Sequence, residues 1–455
     1  MKPKYKLLSI IFLAVFLFGS NINSYPLKNW DEAWYGEISK NMALKGTGFL
    51  MPFWNGDYYF DKPPLYFWLT TLVVRIFGAG EWQMRIISVA AAIIATVAVY
   101  FIAKKLFNET SAFWSTLIFI SFGQVIERFG SGNLDALMIS LMLLSLFFYL
   151  NKKLFWAGVF VGLTALSKGI VFILYPLIVI SLLELFKYKT LRLKLVLIPA
   201  VALGVVLPWF LLGIVNFGQK FVNVYLGDPL SGNLSWRGKG FSSILAFTLL
   251  RDTATFVVPA FIFLFLEIKS IKKSYLSVIS ILLGSSVIIF IPLNFFADKI
   301  GWYLLPIYPL LAIIAGFAFF QINKSHKYWL MVCLAAFAVQ LLIHIHINRQ
   351  APDQSLISAT LGREVKAYPL NLGEVILEDN NFTGFLYYSD IVKIRSLQSN
   401  TKPSEWWIIS YEQFQKIIES HDLITLITKN HPNWEEKGFR SKQDLSFGFS
   451  LLQNY

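Results

Sequence analysis

The stretch from Asn29 to Pro64, NWDEAWYGEISKNMALKGTGFLMPFWNGDYYFDKPP, decides how the rest of the chain is read. It is the long polar passage of the first 215 residues, and apolar runs stand on both sides of it. That placement makes it a loop held against a membrane face. Asp31 and Glu32 are adjacent carboxylates near its start, and Asp61 and Lys62 form a second charged pair just before Pro63 and Pro64. Trp30, Trp34, Tyr35, Trp54, Tyr58, Tyr59 and Phe60 lie between them. Aromatic faces interleaved with fixed charges suit a sugar joined to a phosphate.

Composition agrees with a membrane setting. The 455 residues are 56% hydrophobic, 17% aromatic and only 15% charged, which excludes an ordinary soluble globule. The net charge of +13 raises the question of nucleic acid, but no basic stretch with interleaved aromatics stands outside a membrane flank. The charge reads as cytoplasmic flanking residues, and no nucleic-acid partner is expected. One cysteine, Cys333, inside an apolar run, excludes an intrachain disulfide and a Cys-based metal site. The first histidine is His326, so a carboxylate must carry any proton transfer in the earlier loops. His344 and His346, two apart, do not share a helix face and read as interfacial. There is no Walker phosphate loop.

A spanning helix needs about 20 mostly apolar residues. The first 24 residues have a basic start and an apolar run without a clear small-x-small cleavage site, and read as a retained helix rather than a signal peptide. Further candidates centre on residues 82–103, 111–127, 134–150, 153–167, 169–186, 194–215, 242–267, 274–296, 302–320 and 328–347, giving about eleven crossings. Lys and Arg collect in short cytoplasmic loops. With the N-terminus inside, the inner segments carry Lys2/Lys4/Lys6, Lys104/Lys105, Lys152/Lys153, Lys187/Lys189/Arg192/Lys194, Lys269/Lys272/Lys273 and Lys324/Lys327, and every one is basic. The outer side then receives residues 25–81, 128–133, 167–169, 216–241, 297–301 and the chain from about 349.

The expected fold is therefore an all-α polytopic membrane protein with a small C-terminal α/β domain on its outer face. Residues 1–348 form the transmembrane catalytic domain with its outer loop at 25–81, and 349–455 form the appended domain. There, Glu374–Glu378 and Trp406–Ser410 read as strands and Tyr411–Ser420 as an amphipathic helix.

Within the opening stretch, Asp31 can cap a helix whose positions Trp34, Tyr35, Ile38 and Met42 follow helical spacing, with Gly46 where a stop is expected. This would be a helix lying on the membrane surface. A lone Asp-Glu pair would be a cap beside a solvated charge; Asp61-Lys62-Pro63-Pro64 at the far end of the same loop favours a site. The two prolines set an extended approach to the apolar run Leu65–Phe77. Charges at the edge of spanning helices are costly unless paired or functional. Glu127, Arg128 and Asp135 are such charges, and an interfacial ion pair would explain Glu127 and Arg128 better than Asp135. Lys168, at the turn of a short hairpin, reads equally as snorkelling to headgroups. Arg251 and Asp252 fall inside a candidate crossing, where neighbours point to different helix faces and need separate partners.

At these residues the chain resembles the GT-C class of lipid-linked-sugar transferases. The similarity is to the bacterial branch related to protein O-mannosyltransferases and to the aminoarabinose transferase of lipid A, the ArnT-like members of glycosyltransferase family 39. It covers roughly residues 25 to 310. The pattern is matched by Asp31, Glu32, Tyr35, Glu37, Asn55-Gly56, Phe60, Asp61, Lys62 and Pro63-Pro64. Further matches are Asp135, Lys168-Gly169, Pro208-Trp209 and the run from Lys299 through Tyr303 to Pro306. Departures are Trp34 where many relatives carry Arg, Ile170 and Gly301 in place of frequent prolines, and a 217–241 loop without the metal-holding His of the aminoarabinose branch.

The resemblance implies a polyprenyl-phosphate donor carrying one sugar, inversion at the anomeric carbon, and an acceptor that is a membrane lipid, a glycan or a protein. It implies a bacterial inner membrane with the site on the periplasmic side. Asp31, Glu32, Asp61, Lys62 and Asp135 are the expected catalytic residues, with Asp31 as general base. Lys62, helped by Arg128, Lys168 and Lys299, is expected to bind the donor phosphate, and Trp34, Tyr35, Tyr59 and Tyr303 to contact sugar or acceptor. Asp61 is the candidate ligand for a divalent metal, and no organic cofactor is expected. Two rivals stay open on the residues alone. One is a transporter or flippase, suggested by Arg251 and Asp252; the other is a hydrolase acting on lipid phosphate.

Overall fold

The computed structural model describes residues 3–44, 48–188, 193–225, 243–294 and 300–325, scattered positions between 331 and 342, and, with short breaks, 353–454. The expected span at 328–347 lies largely outside the described residues, as do Gly46, Lys299, Cys333, the three histidines named above and most of the 217–241 loop. In chain order the elements begin with α1 (Pro3–Gly19), α2 (Asp31–Leu44), the hairpin β1 (Phe53–Trp54) and β2 (Asp57–Tyr58), α3 (Leu65–Phe77), α4 (Glu81–Leu106), α5 (Glu109–Ser121), α6 (Gly123–Phe129) and α7 (Leu134–Leu150). There follow α8 (Leu154–Lys168), α9 (Leu174–Leu182), α10 (Leu197–Val222), α11 (Ser243–Leu266), α12 (Lys273–Leu293) and α13 (Tyr308–Ser325). The C-terminal part holds α14 (Asp353–Lys366), β3 (Glu374–Leu377), α15 (Phe382–Ser389), β4 (Ile394–Leu397), β5 (Ile408–Ile409), α16 (Tyr411–Glu419), β6 (Ile424–Thr428), β7 (Arg440–Asp444) and β8 (Ser450–Gln453).

The chain forms two units. The first comprises Met1–Ile22, Phe60–Thr70 and Arg85–Arg349; the second comprises Asn23–Tyr59, Thr71–Met84 and Gln350–Tyr455. Of the opening loop, residues 25–59 and 71–81 thus fall in the same unit as the C-terminal residues, and Phe60–Thr70 falls in the first.

The first unit is a helical bundle. Its helices keep large apolar side chains on the outside, among them Phe12, Val215 and Phe265 at 76%, 80% and 77% exposure. A helix apolar on all sides belongs in lipid. Among the described residues, Glu81–Leu106, Ile170–Tyr188, Lys194–Tyr225, Ser243–Leu266 and Lys273–Leu293 are long and apolar enough to cross a membrane. Four more helices, Tyr5–Gly19, Leu65–Phe77, Leu154–Lys168 and Tyr308–Ile322, are apolar but shorter. α13 packs along α5, and α8 lies against both α7 and α10. Gly158 and Gly162 set the second contact, since a Cβ at either would come within 2.7 or 2.8 Å of the Ile198 or Ala202 carbonyl oxygen. Small residues four apart let two backbones approach where lipid supplies no hydrophobic drive.

The expected single crossing at 111–127 is broken. α5 ends at Ser121, Phe122 takes an extended conformation (φ −66°, ψ 133°), and α6 then meets α7 at a bend of 110°. Hydropathy runs through Phe122 without a change, so the break leaves no trace in an apolar count. Its consequence is chemical, because it turns Glu127 and Arg128 onto a short helix facing the start of α7.

The second unit carries a six-stranded sheet in the order β5-β4-β3-β6-β8-β7. β5, β4, β3 and β6 run parallel, and β8 and β7 close the edge antiparallel. The strand at 374–378 and the helix from 411 stand where the sequence puts them; of the strand at 406–410, Ile408–Ser410 lie among the described residues and Ile408–Ile409 form β5. Ile376, Phe414, Leu426, Trp434 and Phe439 make the core of this part. A second cluster joins Leu27, Ala33, Val74 and Met84 to Ala359, Tyr387 and Tyr388. α2 packs on α15, and it is no surface-lying helix. Glu32, Glu37, Lys40 and Asn41 are all buried.

Candidate functional site: a buried ionic cluster and a carboxylate pair

In the first unit the structure brings together Arg128, Asp135, Lys168 and Tyr303. Asn133 caps α7, its Oδ1 accepting from the Asp135 amide at 2.9 Å. Its Nδ2 donates to the Arg128 carbonyl at 2.6 Å and to Ser131 Oγ at 3.0 Å. Ser88 on α4 closes the turn from behind, donating to the Asn133 carbonyl at 2.8 Å and accepting its N–H at 3.1 Å. Every polar atom of the α6–α7 turn named here is thereby engaged, which fixes the two charged side chains that flank it.

Asp135 is the hub. Arg128 Nε and Nη2 both reach its Oδ2, at 2.7 and 2.6 Å, and Lys168 Nζ, from the last turn of α8, donates to Oδ1. All three side chains are buried, Asp135 to 1% exposure. Two cations and one carboxylate thus gather at the N-terminus of α7, where backbone N–H groups favour an anion. Trp302 lies under the Arg128 guanidinium at 4.4 Å, and the Lys168 ammonium is 5.5 Å from the Tyr303 ring and 5.1 Å from Phe172. Such contacts hold a cation in place without neutralising it.

This corrects the expectation that an ion pair accounts for Glu127 and Arg128 rather than Asp135: Arg128 pairs with Asp135. It also replaces snorkelling as the account of Lys168, whose side chain is 8% exposed. Arg251 and Asp252 do not take wholly separate partners. Arg251 Nε reaches Asp252 Oδ1 at 3.2 Å, and Asp252 accepts the Tyr308 hydroxyl at 2.8 Å, tying α11 to α13. Asp61 is exposed and Lys62 half-buried in the same unit, and Lys62 has no partner among the described residues. Phe60 packs its ring against Phe217 and Phe221 at 5.0 and 5.4 Å. Among the described residues no three His, Cys, Asp or Glu side chains converge as metal ligands, so no step is assigned to a metal.

In the second unit the carboxylate pair opens α2. Asp31 is its first residue rather than its cap, since the Trp30 carbonyl accepts the Trp34 N–H at 2.8 Å. Two acids in a first turn are favourable against the helix dipole. Glu32 is buried and accepts the Lys28 amide at 2.7 Å, so it shapes the entry to the helix. Trp30 sits at φ 68°, a conformation that costs a bulky residue on the order of 1–3 kcal/mol. Trp34 stacks on Trp54 at 4.5 Å and on Tyr59 at 5.7 Å. Tyr35 and Tyr59 are 6% and 9% exposed, so of the expected sugar contacts in this unit only Trp34 keeps appreciable surface.

Three features escaped the sequence reading. Asn55-Gly56 is the turn of the β1–β2 hairpin, with φ 49° and 89°, the Asn-Gly signature of such turns. Asn55 also offers its side-chain amide to Ile394 as a strand would, accepting its N–H at 2.8 Å and donating to its carbonyl at 3.1 Å. Lys40 pairs with Glu37 at 2.8 Å and Asp390 at 3.0 Å and donates to the Tyr387 carbonyl at the end of α15. The Asn-Gly pair was a readable signal; the other two depend on residues more than 330 positions away.

Comparison with known proteins places the fold. Residues 61–212 match the family model described as Dolichyl-phosphate-mannose-protein mannosyltransferase. An uncharacterized protein of Aquifex aeolicus is 25% identical over 358 residues, 75% of this chain and 70% of that one. An undecaprenyl phosphate-alpha-4-amino-4-deoxy-L-arabinose arabinosyl transferase of Pseudomonas fluorescens is 30% identical over 210 residues, 42% of this chain. The match spans about a third of such arabinosyl transferases, 35% of this one. Across its whole length the chain has the fold of ArnT from Cupriavidus metallidurans, solved bound to undecaprenyl phosphate, with a TM-score of 0.78, 15% identity and coverage of 100% and 99% of the two chains. The helical bundle and the α/β part are thus those of the GT-C fold expected from the sequence. In sequence the chain is similar to the branch that holds ArnT and the protein mannosyltransferases. A transporter or flippase is not favoured by this fold.

Proposed function

We propose that the protein moves a single sugar from a polyprenyl phosphate to an acceptor hydroxyl or phosphate on a membrane lipid, a glycan or a protein. The observation that supports this reading most is the buried Arg128–Asp135–Lys168 cluster, which sets two cations at a helix N-terminus, a place suited to a phosphate. Asp135 orients and spaces the two cations. Lys62, without a partner among the described residues, is the second phosphate ligand. Asp61 is assigned to orienting sugar or acceptor, and Lys299 to the donor phosphate.

In the transfer the bond between the anomeric carbon and the phosphate oxygen breaks and a bond to the acceptor oxygen forms on the opposite face. The lipid phosphate leaves with the bonding electrons, and fixed cations stabilise that charge without reorganising. The acceptor proton goes to Asp31, a role worth on the order of 10²- to 10⁴-fold in rate. Glu32 holds the helix entry that carries Asp31, and Trp34 offers a face to the sugar. Eleven crossings with the N-terminus inside would put loop 25–81 and the domain from 349 on the periplasmic side of a bacterial inner membrane, with residues 1–348 as the catalytic domain; the basic inner segments support this topology.

The test is mass spectrometry of lipids that copurify with the wild-type protein and with Lys62→Ala in mild detergent. A polyprenyl phosphate or its glycosyl ester on the first, depleted from the second, is expected. Equal lipid profiles would remove Lys62 from phosphate binding.

A further inference from the structure

Asp31 is held from behind by the C-terminal residues of its own unit. Asn29, two positions before it, makes four hydrogen bonds to α14 and α15. Its amide donates to Ser355 Oγ at 3.0 Å, and its Nδ2 donates to Ser358 Oγ at 3.1 Å and the Gln354 carbonyl at 3.2 Å. Its Oδ1 accepts the Gly384 N–H at 3.0 Å. The next amide, Trp30 N–H, donates to Thr383 Oγ1 at 2.7 Å, and Thr383 is 1% exposed. Upstream, the Leu27 N–H donates to the Tyr388 hydroxyl at 2.9 Å.

These bonds converge on the one residue of α2's approach in an unfavourable backbone conformation, Trp30 at φ 68°. A strained residue persists only where its surroundings over-determine it. Here the surroundings are α14 and α15, and the strained residue immediately precedes the first turn of α2. The fit is close on the far side as well: a Cβ at Gly384 would come within 2.5 Å of Asn29 Oδ1 and 3.1 Å of Ser358 Cβ.

We propose that α14 and α15 act as a clamp that fixes the backbone at Asn29–Trp30 and thereby positions Asp31, making Asn29 and Thr383 positioning residues for the transfer. The C-terminal part is then a working component of the reaction rather than an acceptor-recognition appendage. The proposal rests on Asp31 as the general base. Acceptor deprotonation is sensitive to placement, and a misplacement of about 1 Å costs up to about 100-fold in rate. Because the clamp touches neither cation cluster nor Lys62, its loss should appear in kcat and not in the donor KM.

The experiment uses the full-length protein with the sugar donor it consumes from undecaprenyl phosphates carrying mannose, glucose or 4-amino-4-deoxyarabinose, membrane lipid extract serving as acceptor. Thr383→Val keeps the shape and removes the hydroxyl, and is expected to lower kcat about 10- to 100-fold with donor KM unchanged and only a small drop in thermal midpoint from the unpaired Trp30 N–H. Thr383→Ser restores the hydroxyl and turnover with it, which a packing role would not do. Gly384→Ala, which displaces Asn29 from the other side, should reproduce the loss if Thr383→Val folds poorly. Wild-type kcat in both Thr383→Val and Gly384→Ala, or kcat and KM falling together with the thermal midpoint, overturns the clamp. Asp31→Asn in the same assay separates the two levels: if it is inactive while Thr383→Val is fully active, the clamp alone fails. If Asp31→Asn turns over normally, the base assignment fails and takes the clamp with it.

Discussion

Asp135 and Lys40 are each the hub of a buried ionic group, one in each unit, and the two groups differ in balance. Around Asp135 two cations meet one carboxylate, with aromatic rings under both cations. Around Lys40 the carboxylates Glu37 and Asp390 are joined by Lys366 at 2.5 Å from Asp390, so two acids meet two ammonium groups. A neutral group completes itself and serves to fasten elements together; here it ties α2 to α14 and the end of α15. The group around Asp135 sits instead at the N-terminus of α7, where backbone N–H groups favour an anion. The difference teaches that burial and ion pairing alone do not mark a site, and that two cations beside a helix N-terminus do.

Removing each hub gives the largest expected effects. Asp135→Asn leaves Arg128 and Lys168 buried without their shared carboxylate, a loss of about 3–5 kcal/mol for a broken buried pair. Thermal unfolding in detergent should show a strongly lowered midpoint, together with lost turnover. Lys40→Met strands Glu37, which is 0% exposed, but Asp390 stays partly solvated, so the cost falls toward the lower end at about 3 kcal/mol. If Asp135→Asn proved the milder of the two, the group in the first unit would be no tighter than the one in the second.

The same pair of variants sharpens the comparison when undecaprenyl phosphate is added. A ligand at 100 times its Kd stabilises by about 2.7 kcal/mol, so wild type and Lys40→Met should both gain in thermal midpoint. Lys168→Met, which removes one of the two cations, should gain little. A full lipid-induced gain in Lys168→Met would mean that the phosphate is held elsewhere.

How much of this was legible in the sequence follows the same division. Spans set by local hydropathy emerged with little displacement: residues 134–150 are α7, and 82–103 and 274–296 fall on Glu81–Leu106 and Lys273–Leu293. The break at Phe122 was hidden because apolar residues continue on both sides of it. Asp135, Arg128 and Lys168 were each singled out, yet their convergence was not visible, since Lys168 comes from 33 positions away and the 110° bend decides what Arg128 faces. α2 was read as a helix from its spacing and misjudged as surface-lying, because the groups that bury its charges come from a part of the chain 347 residues on. Periodicity reports on neighbours along the chain, whereas the balance of a buried charge is settled by partners that no local pattern contains.

The smallest effect tests the neutral group at its solvent edge. Burial pushes the Asp390 carboxyl up, but the hydrogen bond from Lys366 and the charge and hydrogen bond of Lys40 outweigh it, and the carboxyl is held below its usual 3.8. A depressed folded value means that the stabilisation is fully present above the unfolded value of about 3.9 and is lost as pH falls through the folded one. Asp390 is 44% exposed, and water screens such pairs to about 0.2–1 kcal/mol. Asp390→Asn should therefore lower stability by less than about 1 kcal/mol at pH 7, with the difference from wild type shrinking in acid as the native carboxylate takes up its proton. Thermal unfolding of both proteins across that range checks the sign. A difference that widens in acid would show that Asp390 is raised rather than depressed, and the group around Lys40 would then carry an uncompensated ammonium and lose the balance that sets it apart from the cluster around Asp135.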